Sequence, residues 1–321
     1  MYPDNLISFT LFGEPVTINL YGICIALALL AALLVFHFYT SFKKLNSKVQ
    51  DFGYITAICA MAGGFLFAKL FQAVYDWIED GTFDFANAGI TAMGGFIGGA
   101  LVFIGIYFGV GHFYFEKDEG VHKGEFMKIL QVAPICITLA HAIGRIGCLM
   151  SGCCHGALVE KNYQGSLWYH GGLWMKANGG YYIPTQLYES LFLFLLFGIL
   201  TFLYFKRYNF TYVVYLIAYG AWRIFIEFFR TDHRGEIIPG SGISPSQFQS
   251  ILFILGGIAM LIVMFACKWR FRDPEGSILT LAEYKALHGR KKKAPEQTEE
   301  APQGSEDSGA PDDGPQPLLR N

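Results

Sequence analysis

Charged residues are scarce in this sequence, and a segment typical of a secretory signal peptide is missing from its beginning. Aspartate, glutamate, lysine and arginine make up 16% of the 321 residues, against about 25% in an average soluble protein. Met1 to Val16 has no basic segment and contains Asp4 and Glu14, so we expect the first apolar run to be retained. Hydrophobic residues make up 53% and the mean hydropathy is +0.36, which favours a membrane protein over two soluble domains.

The apolar residues are grouped in seven runs of about 20 residues, the length that a helix needs to cross a bilayer. The runs cover approximately residues 18–37, 52–75, 89–111, 126–148, 186–205, 211–229 and 246–267. We therefore expect an all-α membrane protein with seven transmembrane helices in a domain of residues 18–272. Residues 1–17 alternate in polarity around a Gly-Glu-Pro turn, which predicts a short arm or hairpin on the membrane surface. Residues 273–321 contain a basic cluster and an acidic, proline-rich end, which predicts a mostly disordered tail.

Lysine and arginine are unevenly distributed among the connections, and in short connections they favour the cytoplasmic side. Ten of them follow runs one, three, five and seven, whereas the other connections contain four. The bias predicts an N-terminus outside, a C-terminal tail in the cytoplasm and a long periplasmic loop between helices four and five.

With this orientation, six of the runs carry polar residues or glycines at their outer ends. These residues are Tyr21, Gly22, Gly94, Gly95, His141, Arg145, Gly147, Gln186, Glu189, Tyr219, Arg223, Glu227, Arg230, Ser246, Gln247 and Ser250. Chance placement would scatter them along the helices. The pattern predicts a polar cavity that opens toward the outer membrane–water interface.

Arg145 lies at the end of a long apolar run, where burying a guanidinium costs about 2.5–3.5 kcal/mol at mid-membrane depth. That cost requires an anionic partner, and we expect a phosphate. Gly144 and Gly147 flank the arginine and would let a large ligand or backbone N–H groups come close. His141 lies four residues before Arg145 and shares its helix face.

The sixth run carries Tyr219, Arg223 and Glu227 at intervals of four residues, with Arg230 three further on, so all four form one helical stripe. We predict that this stripe faces Arg145 and that Glu227 holds a guanidinium in place. The alternatives are a structural Arg223–Glu227 ion pair and an Arg230 that extends to the interface. For the small residues from Gly94 to Gly99, a helix-packing surface is favoured over a direct contact with a ligand.

The cysteines are of two kinds. Four lie singly in apolar runs and are expected to be small buried hydrophobic residues: Cys24, Cys59, Cys136 and Cys267. Cys148, Cys153 and Cys154 are grouped before His155, which leaves open a membrane thiol-redox or metal protein. The group lacks C-X-X-C spacing, and a structural disulfide of Cys148 with Cys153 or Cys154 is favoured over redox catalysis.

Motifs on six of the runs resemble, in the same order, those of bacterial prolipoprotein diacylglyceryl transferases. They are Tyr21-Gly22, the segment from Gly94 to Gly99, the segment from Gly144 to Gly156, the segment from Pro184 to Glu189, the segment from Tyr219 to Arg230, and Ser246-Gln247. The resemblance implies a seven-span inner-membrane enzyme that catalyses the first step of lipoprotein maturation. Such an enzyme moves the diacylglyceryl group of phosphatidylglycerol onto the lipobox cysteine of a prolipoprotein, and glycerol phosphate leaves.

This chemistry needs a thiolate nucleophile and stabilisation of the departing phosphate, which Arg145 and Arg223 would supply. We assign catalysis to Arg145, Arg223, His141, Tyr21 and Glu227. Substrate binding is assigned to Arg145, Gly94, Gly95, Gly147, Gly156, Gln186, Glu189, Tyr219, Arg230, Ser246 and Gln247. We expect the substrates phosphatidylglycerol and a prolipoprotein peptide, a monomer in the membrane, and no metal, organic cofactor or nucleic acid.

The sequence departs from the family pattern at three positions. Cys148 stands where asparagine is common, Cys153 replaces an acidic residue, and Met93 stands where relatives often carry a histidine or tyrosine that assists proton removal. A base would then come from Tyr21, His141, His155 or Tyr219. His141 is favoured because imidazole, with an ordinary pKa of about 6.5, transfers protons well at neutral pH. The alternative is a catalytically inactive paralogue that binds lipid or lipoprotein.

Overall fold

A computed structural model describes residues 6–11, 14–81, 83–159, 172–176, 178–230 and 244–276, with a few further residues up to 286. Its strands are β1 (Ile7–Leu11), β2 (Glu14–Ile18), β3 (Leu173–Met175) and β4 (Gly180–Tyr182). Its helices are α1 (Leu20–Phe42), α2 (Ser47–Asp80), α3 (Ala92–Ile104), α4 (Gly111–Tyr114), α5 (Val121–Ser151), α6 (Thr185–Phe205), α7 (Thr211–Glu227) and α8 (Pro245–Ala266). A π-helical segment, Gly105–Val110, joins α3 to α4 without a break. Most of the tail predicted at residues 273–321, including its basic cluster at 290–293, lies outside the described residues.

Six helical segments of the described chain are long and apolar enough to cross a membrane. They are Leu20–Phe42, Ser47–Ile78, Met93–Tyr114, Val121–Ser151, Thr185–Phe205 and Pro245–Ala266. The sixth predicted run is also helical, but α7 has only 17 residues. The structure is therefore that of a mostly helical membrane protein, and a seventh crossing stays a prediction.

The N-terminal arm forms a hairpin, as its alternating pattern predicts. Strands β1 and β2 pair antiparallel, with Ile7 opposite Ile18 and Leu11 opposite Glu14. The Asn19 side chain then accepts a hydrogen bond from the backbone N–H of Gly22 at 2.8 Å and begins α1. The hairpin thus leads directly into the first apolar helix.

Local sequence explains where the long helices stop. Helix α2 ends at Gly81 (φ 74°) and α5 ends at Gly152 (φ 73°), both in the left-handed conformation that glycine adopts without strain. Ser244 caps the start of α8: its hydroxyl accepts a hydrogen bond from the backbone N–H of Gln247, and Gln247 Oε1 accepts one from the backbone N–H of Ser244.

The helices pack as antiparallel neighbours, chiefly α1 with α5, α2 with α3, α5 with α6 and α7 with α8. The largest buried cluster joins α5, α6 and α7 and includes Val132, Ile135, Leu196 and Tyr215. Because neighbouring helices run in opposite directions, their ends form two distinct ends of the bundle.

One end, here called the glutamate end, contains Glu189, the start of α1, the end of α5, the end of α7 and the start of α8. The other, here called the lysine end, contains the connections after α1, α4, α6 and α8. At the lysine end Lys43 pairs with Asp273, and Lys48 Nζ lies 2.9 Å from Asp118 Oδ1. The sequence prediction that the polar residues of separate runs gather at one end, away from the lysine-bearing connections, is confirmed for the residues around Glu189.

The glycines of α3 face α2. A Cβ added at Gly94 would lie 2.7 Å from Phe71 Cβ, and one at Gly98 would overlap Phe67. Gly95 is less tightly packed, since its added Cβ would lie 3.6 Å from Ala68 Cβ. These contacts support the packing interpretation of the glycine segment. A substrate-binding role for Gly94 and Gly95 stays a prediction.

Candidate active site

A buried carboxylate lies at the centre of the candidate site. Glu189 is in the second turn of α6, and its side chain is 1% exposed. Arg145, near the end of α5, contacts both of its oxygens: Nη2 donates to Oε1 at 3.1 Å and Nε lies 2.9 Å from Oε2. The sequence predicted an anionic partner for Arg145 and named a phosphate; in the structure its anionic partner is the Glu189 carboxylate, and a phosphate ligand stays a prediction.

Arg223 approaches the same carboxylate from α7. Its Nη1 lies 4.0 Å from Glu189 Oε2, and its Nη2 lies 3.2 Å from Glu227 Oε2. The Nη2 atom also donates to Ser246 Oγ at 2.9 Å. The predicted facing of the two helical stripes is thus observed, and Glu227 holds a guanidinium as expected. The Arg223–Glu227 contact also fits the structural ion pair that was its alternative.

Two further groups complete the surroundings of Glu189. The Tyr219 hydroxyl donates to Oε1 at 3.2 Å, and His141 Nε2 lies 3.7 Å from the same oxygen. The His141 and Tyr219 rings meet edge to face, with 5.3 Å between centroids. Three helices therefore place two arginines, two glutamates, a tyrosine and a histidine in one group.

Some polar atoms of this group are buried without a hydrogen-bond partner among the described residues. They include Arg223 Nη1 and His141 Nδ1. A buried donor without a partner costs about 1–3 kcal/mol. An oxygen of a bound ligand would supply a partner for Arg223 Nη1, whereas the unpartnered carboxylate oxygens of the group, Glu189 Oε2 and Glu227 Oε2, need donors.

Gln186 and Thr185 hold the loop that follows α5. The Gln186 side-chain amide donates to the Cys153 carbonyl, and Thr185 Oγ1 donates to the Cys154 carbonyl at 3.0 Å. Gln186, which the sequence assigned to substrate binding, therefore fixes backbone next to the site. Its Oε1 atom is buried without a partner among the described residues.

Gly147 and Gly156 are closely packed, whereas a Cβ added at Gly144 would meet only Ile25 Cδ1, at 3.9 Å. A Cβ added at Gly147 would lie 3.0 Å from Cys24 Cβ and 3.2 Å from the Tyr21 ring. One at Gly156 would lie 2.5 Å from the Phe229 carbonyl oxygen. The expectation that Gly147 leaves room for a ligand is wrong on this face, because α1 fills the space. Tyr21 itself is 40% exposed at the start of α1.

The start of α8 contributes two serines that contact the charged groups of the site, one more than the Ser246-Gln247 motif predicted. Ser246 binds Arg223, and Gln247 caps the helix. Ser244, which the sequence analysis missed, donates to Glu227 Oε1 at 2.9 Å. Its signal was the Ser-X-X-Gln capping pattern. Arg230 follows α7, and its backbone N–H donates to the Glu227 carbonyl at 3.0 Å.

The four single cysteines differ from one another. Cys136 is buried as expected, Cys24 is partly buried, and Cys59 and Cys267 are exposed. The expectation is wrong for these last two, which lie on the outer surface of the bundle. The favoured disulfide is also wrong, since all seven cysteines lie in the described part of the chain and are free thiols.

Comparisons with known proteins agree with the motifs. Residues 7–263 match the family model described as prolipoprotein diacylglyceryl transferase. The phosphatidylglycerol–prolipoprotein diacylglyceryl transferase of Clostridium tetani is 32% identical over 259 residues, which are 78% of this chain and 94% of the relative. Phosphatidylglycerol–prolipoprotein diacylglyceryl transferase 2 of Clostridium perfringens is 30% identical, over 75% of this chain and 88% of the relative. The Clostridioides difficile protein of that name is 29% identical, over 78% and 92%.

Proposed function

Because the chain belongs to the prolipoprotein diacylglyceryl transferase family, we propose that it transfers the diacylglyceryl group of phosphatidylglycerol to the lipobox cysteine of a prolipoprotein. The observation that carries the proposal is the approach of Arg145 and Arg223, from separate helices, to one buried carboxylate. Guanidinium N–H donors held in place in a water-poor site stabilise both an anionic lipid headgroup and a departing glycerol phosphate.

Arg145 and Arg223 bind the phosphate of the lipid. A guanidinium has five N–H donors in a planar fork, so an arginine that contacts a carboxylate along one edge can still bind a phosphate along another. Arg145 uses Nε and Nη2 for Glu189, and Arg223 uses Nη2 for Glu227 and Ser246. The remaining N–H groups, including the unpartnered Arg223 Nη1, are available for the headgroup.

Glu189 and Glu227 act as positioning residues. Glu189 fixes the plane of the Arg145 guanidinium, and Glu227 does so for Arg223. The two carboxylates also balance the two arginines, which lowers the cost of burying charge. The charges of the arginines are therefore already balanced before a phosphate binds. The affinity for the phosphate then depends on how the guanidinium N–H groups are oriented toward it.

His141 takes the proton of the lipobox thiol. The resulting thiolate attacks the glycerol carbon that bears the phosphate ester, the carbon–oxygen bond breaks, and glycerol phosphate leaves. His141 is supported by its place beside Glu189 and its unpartnered Nδ1. Tyr219 is less suited because it donates to Glu189. His155 is less suited because Asn178 Nδ2 lies 2.6 Å from its Nε2 and the Gly156 carbonyl lies 2.9 Å from its Nδ1.

The site opens toward the outer leaflet of the inner membrane, and the enzyme crosses that membrane seven times as a monomer. The lysine and arginine bias of the connections supports this orientation. The 17 residues of α7 span about 26 Å, close to the hydrocarbon thickness, and so support a seventh crossing.

Purified protein in phosphatidylglycerol-containing vesicles, given a lipobox peptide, tests the proposal. The expected product is a peptide with a thioether-linked diacylglyceryl group, detected by mass spectrometry. Arg145→Ala and Arg223→Ala should each lower turnover by about 10²–10³-fold, the loss typical of removing one preorganised donor. Arg145→Lys should recover little, because the lysine ammonium lacks the planar fork of N–H donors that can face Glu189 along one edge and a phosphate along another.

Arg270→Ala is the matched control, because Arg270 is exposed at the lysine end. It should keep the wild-type rate. Lipid binding without product in the wild type would instead indicate the inactive paralogue, and unchanged rates in both arginine variants would contradict the proposed site.

A further inference from the structure

The three grouped cysteines have no role in the transfer reaction proposed above. Cys148 lies in the last turn of α5, and Cys153 and Cys154 follow Gly152. Their Sγ atoms all lie within 4.8 Å of one another, and all three are free thiols. The turn at Gly152, where the backbone N–H of Cys153 donates to the Cys148 carbonyl at 3.2 Å, brings the three thiols together.

The loop that brings the thiols together is held in place. Gly152 reverses the chain with φ 73°, and Cys154 also has a positive φ of 61°. This conformation costs a residue with a Cβ about 1–2 kcal/mol. Thr185 and Gln186 bind the carbonyls of Cys154 and Cys153, and Ser151 Oγ donates to Cys153 Sγ at 3.0 Å. Strained backbone that neighbours hold in this way is typical of ligand sites.

We propose that Cys148, Cys153 and Cys154 bind one soft, thiophilic metal ion of the zinc and copper(I) class. Thiolate sulfurs lie about 2.3 Å from zinc, which sets them about 3.8 Å apart in a tetrahedral site. A disulfide requires about 2.05 Å between two sulfurs and leaves the third thiol unused. The observed spacing therefore accommodates an ion bound by all three thiols with a small adjustment.

Binding is an acid–base exchange without electron transfer. Each thiol releases its proton to solvent, and three sulfur–metal bonds form. Cys153 is exposed, so water can reach a fourth coordination position. His155 is not the fourth ligand, because its two ring nitrogens lie within hydrogen-bonding distance of Asn178 and the Gly156 carbonyl.

The site lies beside the transfer site but differs from it. Cys148 is one turn beyond Arg145 on α5, and Gln186 is one turn before Glu189 on α6. A bound ion would tie the end of α5 to its following loop. The ion takes no part in the transfer reaction.

Metal content of the full-length protein, purified in detergent under reducing conditions, tests the inference without a transfer assay. Protein loaded with Zn²⁺ and passed through a desalting column should retain one ion per chain. The variant Cys148→Ser/Cys153→Ser/Cys154→Ser should retain none. The matched control Cys24→Ser/Cys59→Ser/Cys267→Ser should retain the wild-type amount. A parallel loading with Co²⁺ should give sulfur-to-cobalt charge-transfer absorption only where Zn²⁺ binds, and copper(I) competition should displace Zn²⁺.

Thiol alkylation of the wild type keeps the test independent of whether a variant folds. Bound Zn²⁺ should protect three cysteines from alkylation, and peptide mass spectrometry should identify them as Cys148, Cys153 and Cys154. Equal metal content in the wild type and the Cys148/Cys153/Cys154 variant would overturn the inference. Equal alkylation with and without Zn²⁺, or a disulfide among the three in protein isolated without reductant, would also overturn it.

Discussion

Charged side chains are arranged differently at the two ends of the helix bundle. At the glutamate end, one carboxylate is shared by Arg145, Arg223, Tyr219 and His141, and its side chain is 1% exposed. At the lysine end, charges form separate pairs. Lys48 and Asp118 are 60% and 36% exposed, and Lys128 and Glu125 are 31% and 18% exposed.

The lysine end also contains one buried pair, Lys43 with Asp273, in which the lysine is 2% exposed. Burial alone therefore does not distinguish the two ends. At the glutamate end, by contrast, several cationic and polar groups contact one anion, Glu189. Some N–H groups of these side chains remain without hydrogen-bond partners among the described residues. A shared, incompletely paired group can accept a ligand, whereas a closed pair mainly stabilises the fold.

Comparing Glu189→Gln with Asp273→Asn should give the largest difference in activity between the two ends. Glu189→Gln removes a buried anion and should lower the free energy of unfolding by about 3–5 kcal/mol, because buried cations lose a partner. Asp273→Asn also leaves a buried lysine with fewer partners, but the Asp273 side chain is 18% exposed, so the loss should be smaller. Glu189→Gln should also lower turnover by about 10²-fold, because both arginines lose their common orientation. Asp273→Asn should keep the wild-type turnover per folded molecule.

Thermal unfolding in detergent, with transfer rates normalised to folded protein, measures both effects. Equal turnover in the two variants would contradict the distinction between the ends.

His141→Gln tests whether the histidine beside Glu189 carries the thiol proton. The amide fills similar space but cannot accept a proton, so turnover should fall at least about tenfold while protein levels stay constant. The measurement is the initial transfer rate at saturating lipid. A wild-type rate in this variant would show that His141 is not the base, and Tyr21 would then be the next candidate.

Two glycine substitutions separate packing from ligand binding on α3. Gly98→Ala introduces a Cβ that overlaps Phe67 and should destabilise the protein by about 1–3 kcal/mol. Gly95→Ala has room and should leave the unfolding midpoint unchanged. If Gly95→Ala nevertheless raises KM for phosphatidylglycerol, the predicted substrate-binding role of Gly95 gains support.

Lys48→Ala should have the smallest effect. The Lys48–Asp118 pair is exposed at the lysine end, where solvent screens the attraction. We expect neither the unfolding midpoint nor the transfer rate to change measurably. A clear loss of turnover would show that the lysine end influences the site, which the comparison of the two ends does not predict.

The helices were largely predictable from sequence because runs of about 20 apolar residues leave few other folds in a membrane. The i, i+4 stripe of Tyr219, Arg223 and Glu227 also predicted which residues of α7 lie together. The pairing of Arg145 with Glu189 was less accessible, because the two residues lie on different helices and spacing within one helix says nothing about contacts between helices. The glycines were assigned to ligand binding for a similar reason: a missing side chain admits a ligand or a neighbouring helix equally well.

The long apolar runs are enough to identify a helical membrane protein, and the motifs at their ends contain the arginines, glutamates and histidine of the site. The packing of the helices is needed to show that Glu189 is the common partner of Arg145 and Arg223, and that three free thiols converge beside them. Apolar periodicity constrains which residues share a face of one helix, whereas the pairing of buried charges depends on how the helices pack around each other.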